Sequence, residues 1–402
     1  MNVKGINIIG QWKGEWMDSY LSELVKLYEL LNKRISVEET LGYVYQMFKE
    51  YIPYDRIGIV LLGDECKFYS QAVCSDYDNK LRKGYCVNTY DTSLNNIIIT
   101  KEHRVINDYK KYLIDNPNSE ATQLIVEEGI QSSIACPLIT NDICFGILIF
   151  SSKQLNAYHH KHLDVAKMVA NAVAITIEKN LLVDDLILTS ITGFARLVEA
   201  KDSDTGLHLE RMQNYTKIIA SKLQTNKKFK AIIDELFIEN AYRYAPLHDI
   251  GKVGIADGIL LKPAKLTQEE FEVMKRHTII GAEVLKKASN NLLRNGEHFF
   301  DMAVEIALYH HEKYNGTGYP FGLREDEIPI SARIVMVADV FDALTSKRVY
   351  KTALAIEDAL SIIVSEKGKS FDPDIVDALM DAKDEMLMIY KKYQENIDFE
   401  RR

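Results

Sequence analysis

The sequence contains few cysteines, and none of them forms a close pair. There are five, an odd number without any CxxC spacing: Cys66, Cys74, Cys86, Cys136 and Cys144. Disulfide frameworks and thiolate metal sites both need paired or clustered cysteines, so neither is indicated here. The pattern predicts a protein kept in a reduced, cytoplasmic compartment.

Long apolar runs and an excess of basic residues are also missing. The best apolar runs, Ile57–Leu62 and Cys144–Phe150, are strand-length, far short of the about 18 residues of a membrane helix. The N-terminus has no basic region followed by a long apolar core, so no secretory signal is predicted. The net charge of −9 excludes a surface devoted as a whole to DNA, RNA or anionic lipid. Metal ions and a few local cations can still attract a small anionic substrate.

What is present indicates two domains of different texture. At 402 residues the chain exceeds the about 100–200 residues of one ordinary domain. In its first half, helical spacing marks Ser19–Lys33 and Val37–Tyr51, and the turn at Thr140-Asn141-Asp142 predicts a hairpin. Short strand-like runs complete an α+β pattern: Arg56–Leu62, Cys66–Ala72, Ser132–Leu138 and Ile143–Ser151.

This order of helix, antiparallel strands and closing helix resembles a GAF domain over about residues 19–180. We expect an N-terminal extension at 1–18 and a GAF-like sensor domain at 19–160. The resemblance implies that an unidentified small ligand or protein binds this domain. The NKFDE signature that cyclic-nucleotide-binding GAF domains often carry is absent.

A long connecting helix is predicted over residues 161–194. From Lys161 to Ala200 there is no proline and a single glycine, Gly193. Apolar residues cover so wide a face of this helix that the face needs a partner. Two interpretations remain open: a parallel homodimer seam along Lys161–Leu188, or packing against the chain's own two domains.

The last part of the chain, residues 195–402, has helical spacing throughout and is predicted to be an all-α domain. It contains no cysteine, and it holds an unusual set of histidines: His208, His248, His277, His310 and His311. Imidazole and carboxylate ligands without thiolate suit catalytic first-row metals such as Fe, Mn and Zn. The adjacent pair His248-Asp249 can reach two neighbouring metals, or one metal from a bent segment. Two ions about 3.5–4 Å apart suit an in-line phosphoryl displacement.

The motifs in this part are HxxR, HDIGK, HHE with GxGYP, DVFDALTSxRxYK and GxxFDP. Over Ala195–Asp377 they strongly resemble the HD-GYP family, a branch of the HD metallohydrolases. The resemblance implies hydrolysis of cyclic di-GMP at a site with two or three Fe or Mn ions. Asp204 stands where the ligand of an additional ion is expected, but as aspartate instead of glutamate. Seven further ligands are implied: His208, His248, Asp249, His277, His310, His311 and Asp339.

Other motif positions have more than one interpretation. Lys252 is placed beside the phosphate, where it assists catalysis with Asp249, or it is a solvated lysine. Arg348 and Lys351 bind the second phosphate of a cyclic dinucleotide, or they are ordinary exposed cations. Tyr319 offers its hydroxyl to the phosphate or its ring to a base, or it is a buried turn residue. Asp342 forms a hydrogen bond with a ligand or the nucleotide, or it is a solvated helix position.

The combined prediction is a cytoplasmic phosphodiesterase that opens cyclic di-GMP to linear pGpG, with a further cut to GMP left open, under control of the GAF-like domain. One alternative is another substrate, a mixed GMP–AMP ring or a linear phosphoester, because nothing in the sequence reads the base. The other is a non-catalytic sensor of cyclic di-GMP, which lost ligands would favour and seven retained ligand positions do not. The remaining histidines are expected at the surface or in local packing: His103, His159, His160, His162 and His298.

Overall fold

The structure is a computed structural model that describes residues 21–32, 35–63, 66–202, 207–292, 300–346 and 353–400. The predicted extension at 1–18 and three predicted site residues, Asp204, Arg348 and Lys351, lie outside these ranges. The chain divides into two compact units, Met1–Asp184 and Asp185–Arg402. Among the described helices, none combines the length and the apolar character needed to cross a membrane.

The first unit is an α+β domain built on a six-stranded antiparallel sheet with strand order β3-β2-β1-β6-β5-β4. Residues 21–31 are helical. The further helices are α1 (Val37–Met47), α2 (Leu94–Thr100), α3 (Tyr109–Asp115) and α4 (Glu120–Glu127). The strands are β1 (Arg56–Leu62), β2 (Lys67–Ser75), β3 (Cys86–Asn88), β4 (Arg104–Ile106), β5 (Ser132–Thr140) and β6 (Ile143–Ser152).

The predicted hairpin is confirmed, since β5 and β6 pair in antiparallel register through Thr140 and Ile143. Its two turn residues, Asn141 and Asp142, have φ angles of 48° and 63°. A two-residue turn of this kind needs positive φ at both central positions, and Asn and Asp tolerate it well.

The two faces of the sheet have different environments, as the alternation along β1 shows. Ile57, Ile59 and Leu61 belong to the larger core of this unit, which also contains residues of α1 and of the long helix that follows the sheet. Gly58 and Val60 face the other way and line a cleft. Because successive strand residues point to opposite faces, one strand builds both the core and the cleft floor.

The long helix α5 spans His160–Asp202, 43 residues, so the helix predicted over residues 161–194 is confirmed. Val169, Val173 and Ile177 are fully buried in the core of the first unit. The face carrying Val169 and Ile177 therefore packs within its own unit, as the second of the two interpretations predicts, and a dimer seam along Lys161–Leu188 would have to use another face. A charge introduced at either position would disrupt that core instead of testing an association between chains.

The second unit is helical, as predicted for an all-α domain. Its core surrounds the fully buried aromatic side chains of Tyr215, Phe300 and Phe341. The helices are α6 (His208–Gln224), α7 (Glu235–Tyr244), α8 (Asp257–Leu260), α9 (Gln268–Lys275), α10 (His277–Leu292), α11 (Asp301–Tyr309), α12 (Ile330–Thr345), α13 (Ile356–Ser365), α14 (Pro373–Asp381) and α15 (Lys383–Glu400).

The GxxFDP segment explains how one of these helices begins. Asp372 is the N-cap of α14 and accepts a hydrogen bond from the backbone N–H of Asp374. Its buried carboxylate also accepts a 2.6 Å hydrogen bond from Arg333. Pro373 follows at the first helical position, where its missing N–H costs nothing. The motif therefore has a structural role in fixing α14.

Candidate metal centre

The seven predicted ligands come from separate parts of the helical unit, and the fold brings them together. His208 begins α6 and His277 begins α10, while His310 and His311 directly follow α11. His248 and Asp249 connect the short 3-10 turns Ala245–Leu247 and Ile250–Gly254, and Asp339 lies within α12. Two sets result, each with ligand atoms within 4.8 Å of one another: Asp249, His277, His310 and His311, and His208, His248 and Asp339.

Asp249 lies between the two sets. Its Oδ1 is 3.3 Å from Nε2 of His277 and 3.7 Å from Nε2 of His310, both in its own set. Its Oδ2 is 3.1 Å from Nε2 of His248 in the other set. Each carboxylate oxygen therefore faces a different set, as the carboxylate between two metal ions would. Within the second set, Nε2 of His208 is 3.6 Å from Oδ1 of Asp339.

Backbone carbonyls orient three of the histidine rings. Nδ1 of His248 lies 3.0 Å from the carbonyl of Ala245, and Nδ1 of His277 lies 2.7 Å from that of Met274. Nδ1 of His310 is 3.0 Å from the carbonyl of Ile306. Since a carbonyl only accepts, each Nδ1 carries the proton, and in the neutral ring the lone pair is on Nε2.

The atoms that face the centre lack protein partners. Nε2 of His248, His277 and His310 and Oδ1 of Asp249 are buried without a hydrogen bond among the described residues. Buried polar atoms are normally satisfied, so this convergence indicates a missing partner that accepts lone pairs. These atoms belong to both sets, and imidazole nitrogens with a carboxylate oxygen fit first-row metal ions.

The protonation states of His310 and His311 agree with metal binding. Burial, with the neighbouring His277, lowers the pKa of His311 to about 4. Burial also lowers the pKa of His310 far below its usual value, so both rings are neutral near pH 7. At His248 burial opposes the charge, but the carboxylate of Asp249 outweighs it and raises the pKa to about 9. A cation bound there would displace that proton.

Asp342 lies behind His208 and not in open space beside the cluster. Only 1% of its surface is exposed, and its Oδ2 is 2.7 Å from Nδ1 of His208. Arg211 donates to both of its oxygens, at 2.6 and 3.0 Å, and to the hydroxyl of Ser346 at 2.8 Å. Burial would raise the pKa of Asp342, but the hydrogen bonds from His208 and Arg211 lower it to about 2.

Of the interpretations given for Asp342, this placement agrees with a hydrogen bond to a ligand and excludes a solvated helix position. The carboxylate fixes the ring of the predicted ligand His208, and Arg211 holds the carboxylate. Arg211 was not predicted to have a role, although the HxxR spacing puts it one helical turn from His208, on the same face of α6.

The loop that carries Tyr319 is held by a buried acid that was also not predicted. Glu312, 1% exposed, accepts hydrogen bonds from the backbone N–H groups of Phe321, Gly322 and Leu323 at 2.7–3.1 Å. The Tyr319 ring lies 4.8 Å from the His311 ring, at an angle of 35°. Burial raises the pKa of Tyr319, so its hydroxyl stays protonated and can donate.

Lys252 lies beside the cluster, with Nζ 2.9 Å from Oδ2 of Asp249. The preceding residue, Gly251, permits the close approach of this segment to α10. A Cβ atom at Gly251 would lie 1.9 Å from the carbonyl oxygen of His277, a distance at which the backbone would have to move. The glycine of HDIGK is therefore required for the position of His277.

The other histidines lie elsewhere. His103, His159, His160 and His162 belong to the first unit, and none of them is in either ligand set. His298 lies outside the described residues.

Comparisons with known proteins bear on each unit. The family model described as GAF domain matches residues 36–177, and the model described as HD domain matches residues 196–375. Both predicted domain types are therefore confirmed.

Curated relatives match about half of the chain. A protein named cyclic di-GMP phosphodiesterase, from Vibrio cholerae, is 44% identical over 51% of this chain and 42% of its own length. A probable cyclic di-GMP phosphodiesterase of that organism is 43% identical over 50% of this chain and 46% of its own length.

A third relative from the same organism has a different name, 3'3'-cGAMP-specific phosphodiesterase 2. It is 38% identical over 54% of this chain and 39% of its own length. The chain spans less than half the length of each of these three relatives. The two family models give the firmer assignment: the chain contains a GAF domain followed by an HD domain.

Proposed function

We propose that the HD domain is a metal-dependent phosphodiesterase that hydrolyses cyclic di-GMP to linear pGpG, with GMP as the product of any second cut. The observation that carries the proposal is the position of Asp249, with one oxygen toward each of two His/Asp sets. The names of the relatives support the substrate class. The complete ligand set argues against a sensor without catalysis.

The seven His and Asp residues of the two sets would hold two iron or manganese ions, and Asp204 is the candidate for a third. Ions bound there would polarise the phosphoryl oxygens and make a water molecule nucleophilic near neutral pH. The chain itself orients the histidines through the backbone carbonyls and Asp342. The long side chains of Arg348 and Lys351 are the proposed contacts to the second phosphate.

Two further residues beside the cluster would act on the substrate directly. The ammonium group of Lys252, next to Asp249, is placed to stabilise negative charge that develops on the phosphate. Tyr319 keeps a protonated hydroxyl and can donate it to a phosphate oxygen, while its ring packs on His311.

Metal analysis paired with a turnover assay tests this function. Protein purified without oxygen and with metal supplied is expected to contain at least two Fe or Mn ions per chain, because two ligand sets are present. Cyclic di-GMP is expected to be converted to pGpG, as measured by chromatography. Turnover of 3'3'-cGAMP and of a linear phosphodiester is measured in parallel assays. One ion or none would contradict the two-ion site, and tight binding of cyclic di-GMP without turnover would indicate a sensor. Faster turnover of 3'3'-cGAMP, the substrate in the name of one relative, would show that 3'3'-cGAMP and not cyclic di-GMP is the preferred substrate.

We also propose that the protein is a homodimer through α5 and that this helix passes regulation from the GAF domain to the HD domain. The buried face of α5 belongs to the first unit, but the opposite side carries an exposed apolar stripe: Met168, Ile175, Leu182, Leu186 and Leu197. At about 100° per residue these side chains fall within about 60° of one another. A second copy of α5 would cover the stripe, as in a parallel coiled coil.

Charges placed on this stripe are expected to produce monomers. The variant with Leu182→Glu and Leu186→Glu puts two unpaired carboxylates into the proposed seam, which costs several kcal/mol (about 2–4 or more). Multi-angle light scattering should give a dimer for the wild type and a monomer for this variant. The control is Ile114→Glu, at an exposed apolar position in α3, outside the proposed seam on α5. A monomeric wild type, or a variant that stays dimeric, would rule out this seam.

A further inference from the structure

The first unit contains a cleft on the sheet face that points away from the larger core. It encloses about 740 Å³, its open mouth included, and its floor contains Gly58, Val60, Phe68 and Ile149. Residues of α4, Ala121, Thr122 and Ile125, also line it. Small-molecule sites combine a mainly apolar lining with a few fixed polar groups, and the lining of this cleft has that character.

Two guanidinium groups line this otherwise largely apolar cleft. Arg56 is 4% exposed and donates from Nη2 to the carbonyl of Leu81 at 3.2 Å. Its Nε is 3.6 Å from the carboxylate of Glu128, too far for a hydrogen bond, and is left without an acceptor. Glu128 in turn accepts from the backbone N–H groups of Lys80 and Leu81.

Arg104 is less well neutralised than Arg56. Its Nη1 donates to the hydroxyl of Ser93 at 2.6 Å, and its guanidinium lies 5.7 Å from the centre of the Tyr112 ring. Its Nε is buried and without an acceptor. Within the described ranges no carboxylate pairs with it. Two guanidinium groups therefore line the cleft, and among the described residues only Arg56 pairs with a carboxylate, that of Glu128.

We propose that this cleft binds a small organic monocarboxylate with an apolar body. One carboxylate balances the surplus positive charge, and its two oxygens match the forked donors of an arginine. The apolar body would lie on Val60, Phe68 and Ile149, where burial of apolar surface stabilises the complex. A phosphate dianion would leave a surplus negative charge in the cleft, so a carboxylate fits better. The site is separate from the metal centre, and the inference does not depend on the proposed phosphodiesterase activity.

Gly58 provides a second way to test the cleft. A Cβ atom at this position would lie 3.6 Å from the carbonyl oxygen of Ala72 and 3.8 Å from Nη1 of Arg56, both ordinary contact distances. Valine is also favoured in strands. Gly58→Val is therefore expected to fold while its side chain fills part of the floor.

The experiment is isothermal titration calorimetry of the full chain with straight-chain carboxylates from butyrate to octanoate and with phenylacetate. At least one is expected to bind with a Kd below about 1 mM, and the matching amide should bind more weakly. Loss of a charge-assisted hydrogen bond in Arg104→Gln should weaken binding by about tenfold or more. Gly58→Val should weaken it as well. The control is Arg82→Gln, an exposed arginine paired with Asp78, which should bind like the wild type.

Three results would overturn the inference. The first is that none of the carboxylates binds the wild type, and the second is that the amides bind as tightly as the carboxylates. The third is that phenyl phosphate binds more tightly than phenylacetate. Circular dichroism checks that each variant is folded. If Arg104→Gln does not fold, Gly58→Val decides: unchanged carboxylate affinity in that variant means that the ligand binds elsewhere.

Discussion

Replacing Asp249 with alanine is expected to abolish measurable turnover and to reduce the metal content to at most one ion per chain. The carboxylate has one oxygen toward His277 and His310 and the other toward His248. Its loss removes a candidate ligand from one set and the oxygen that faces His248 of the other. The effect should therefore exceed the roughly 10- to 100-fold typical of losing an outer partner of a ligand. Lys252 also loses the carboxylate that holds its ammonium group beside the site.

The measurement combines elemental analysis with initial rates on cyclic di-GMP, and thermal unfolding shows whether the fold persists. The helical core is built from apolar residues that do not include Asp249, so a cooperative transition is expected to remain. Asp377→Ala removes an exposed aspartate that pairs with Lys367 at the surface and serves as the control. Metal content and rate near those of the wild type in Asp249→Ala would show that the ligand assignment is wrong.

The sequence is most informative about the candidate site, where metal binding needs particular residue types at particular spacings. The seven candidate ligands are implied by motifs that resemble those of the HD-GYP family, and the structure brings all seven into two sets. The helices with long uninterrupted periodicity were also predictable, including α5 from its lack of proline. These signals are local in the sequence, so they can be recognised without knowledge of the fold.

The parts that were not predicted depend on tertiary contacts. Strands β3 and β4 have three residues each, too short for a period to be visible, and only pairing with neighbouring strands defines them. Helix α5 carries apolar residues on two opposite faces, so periodicity could not show that Val169 and Ile177 are the buried ones. An acidic residue such as Glu312 looks like a surface residue until the loop folds around it.

Asp342 shows the same limit, because its position three residues after Asp339 left open a contact with a ligand, a contact with the nucleotide and a solvated helix position. In the fold it is buried against Arg211 and His208. Asp342→Ala would leave the guanidinium of Arg211 buried without its carboxylate, which costs about 3–5 kcal/mol of unfolding free energy. It would also release the ring of His208, and loss of such a partner lowers metal affinity by about 10- to 100-fold.

A matched variant separates these two effects. Asp372 is equally buried and accepts a hydrogen bond from Arg333, but neither residue belongs to a ligand set. Asp372→Ala removes this bond and the N-cap of α14, while Arg333 keeps its ion pair with Asp326. It should therefore lower the stability and leave metal affinity unchanged. Combining Arg211→Met with Asp342→Leu should recover much of the stability, because replacing both partners of a buried ion pair by apolar groups is often neutral or stabilising. It should not recover metal affinity, since His208 still lacks its acceptor.

Titration of the metal-free proteins with Mn²⁺, together with urea unfolding, measures the two quantities independently. Metal affinity equal to that of the wild type in Asp342→Ala would limit this residue to a structural role. A rise in KM for cyclic di-GMP at saturating metal, with metal affinity unchanged, would instead support the substrate contact predicted from the sequence. The arrangement of His208, Asp342 and Arg211 favours the loss of metal affinity, because the carboxylate contacts the ring nitrogen opposite the one that faces Asp339.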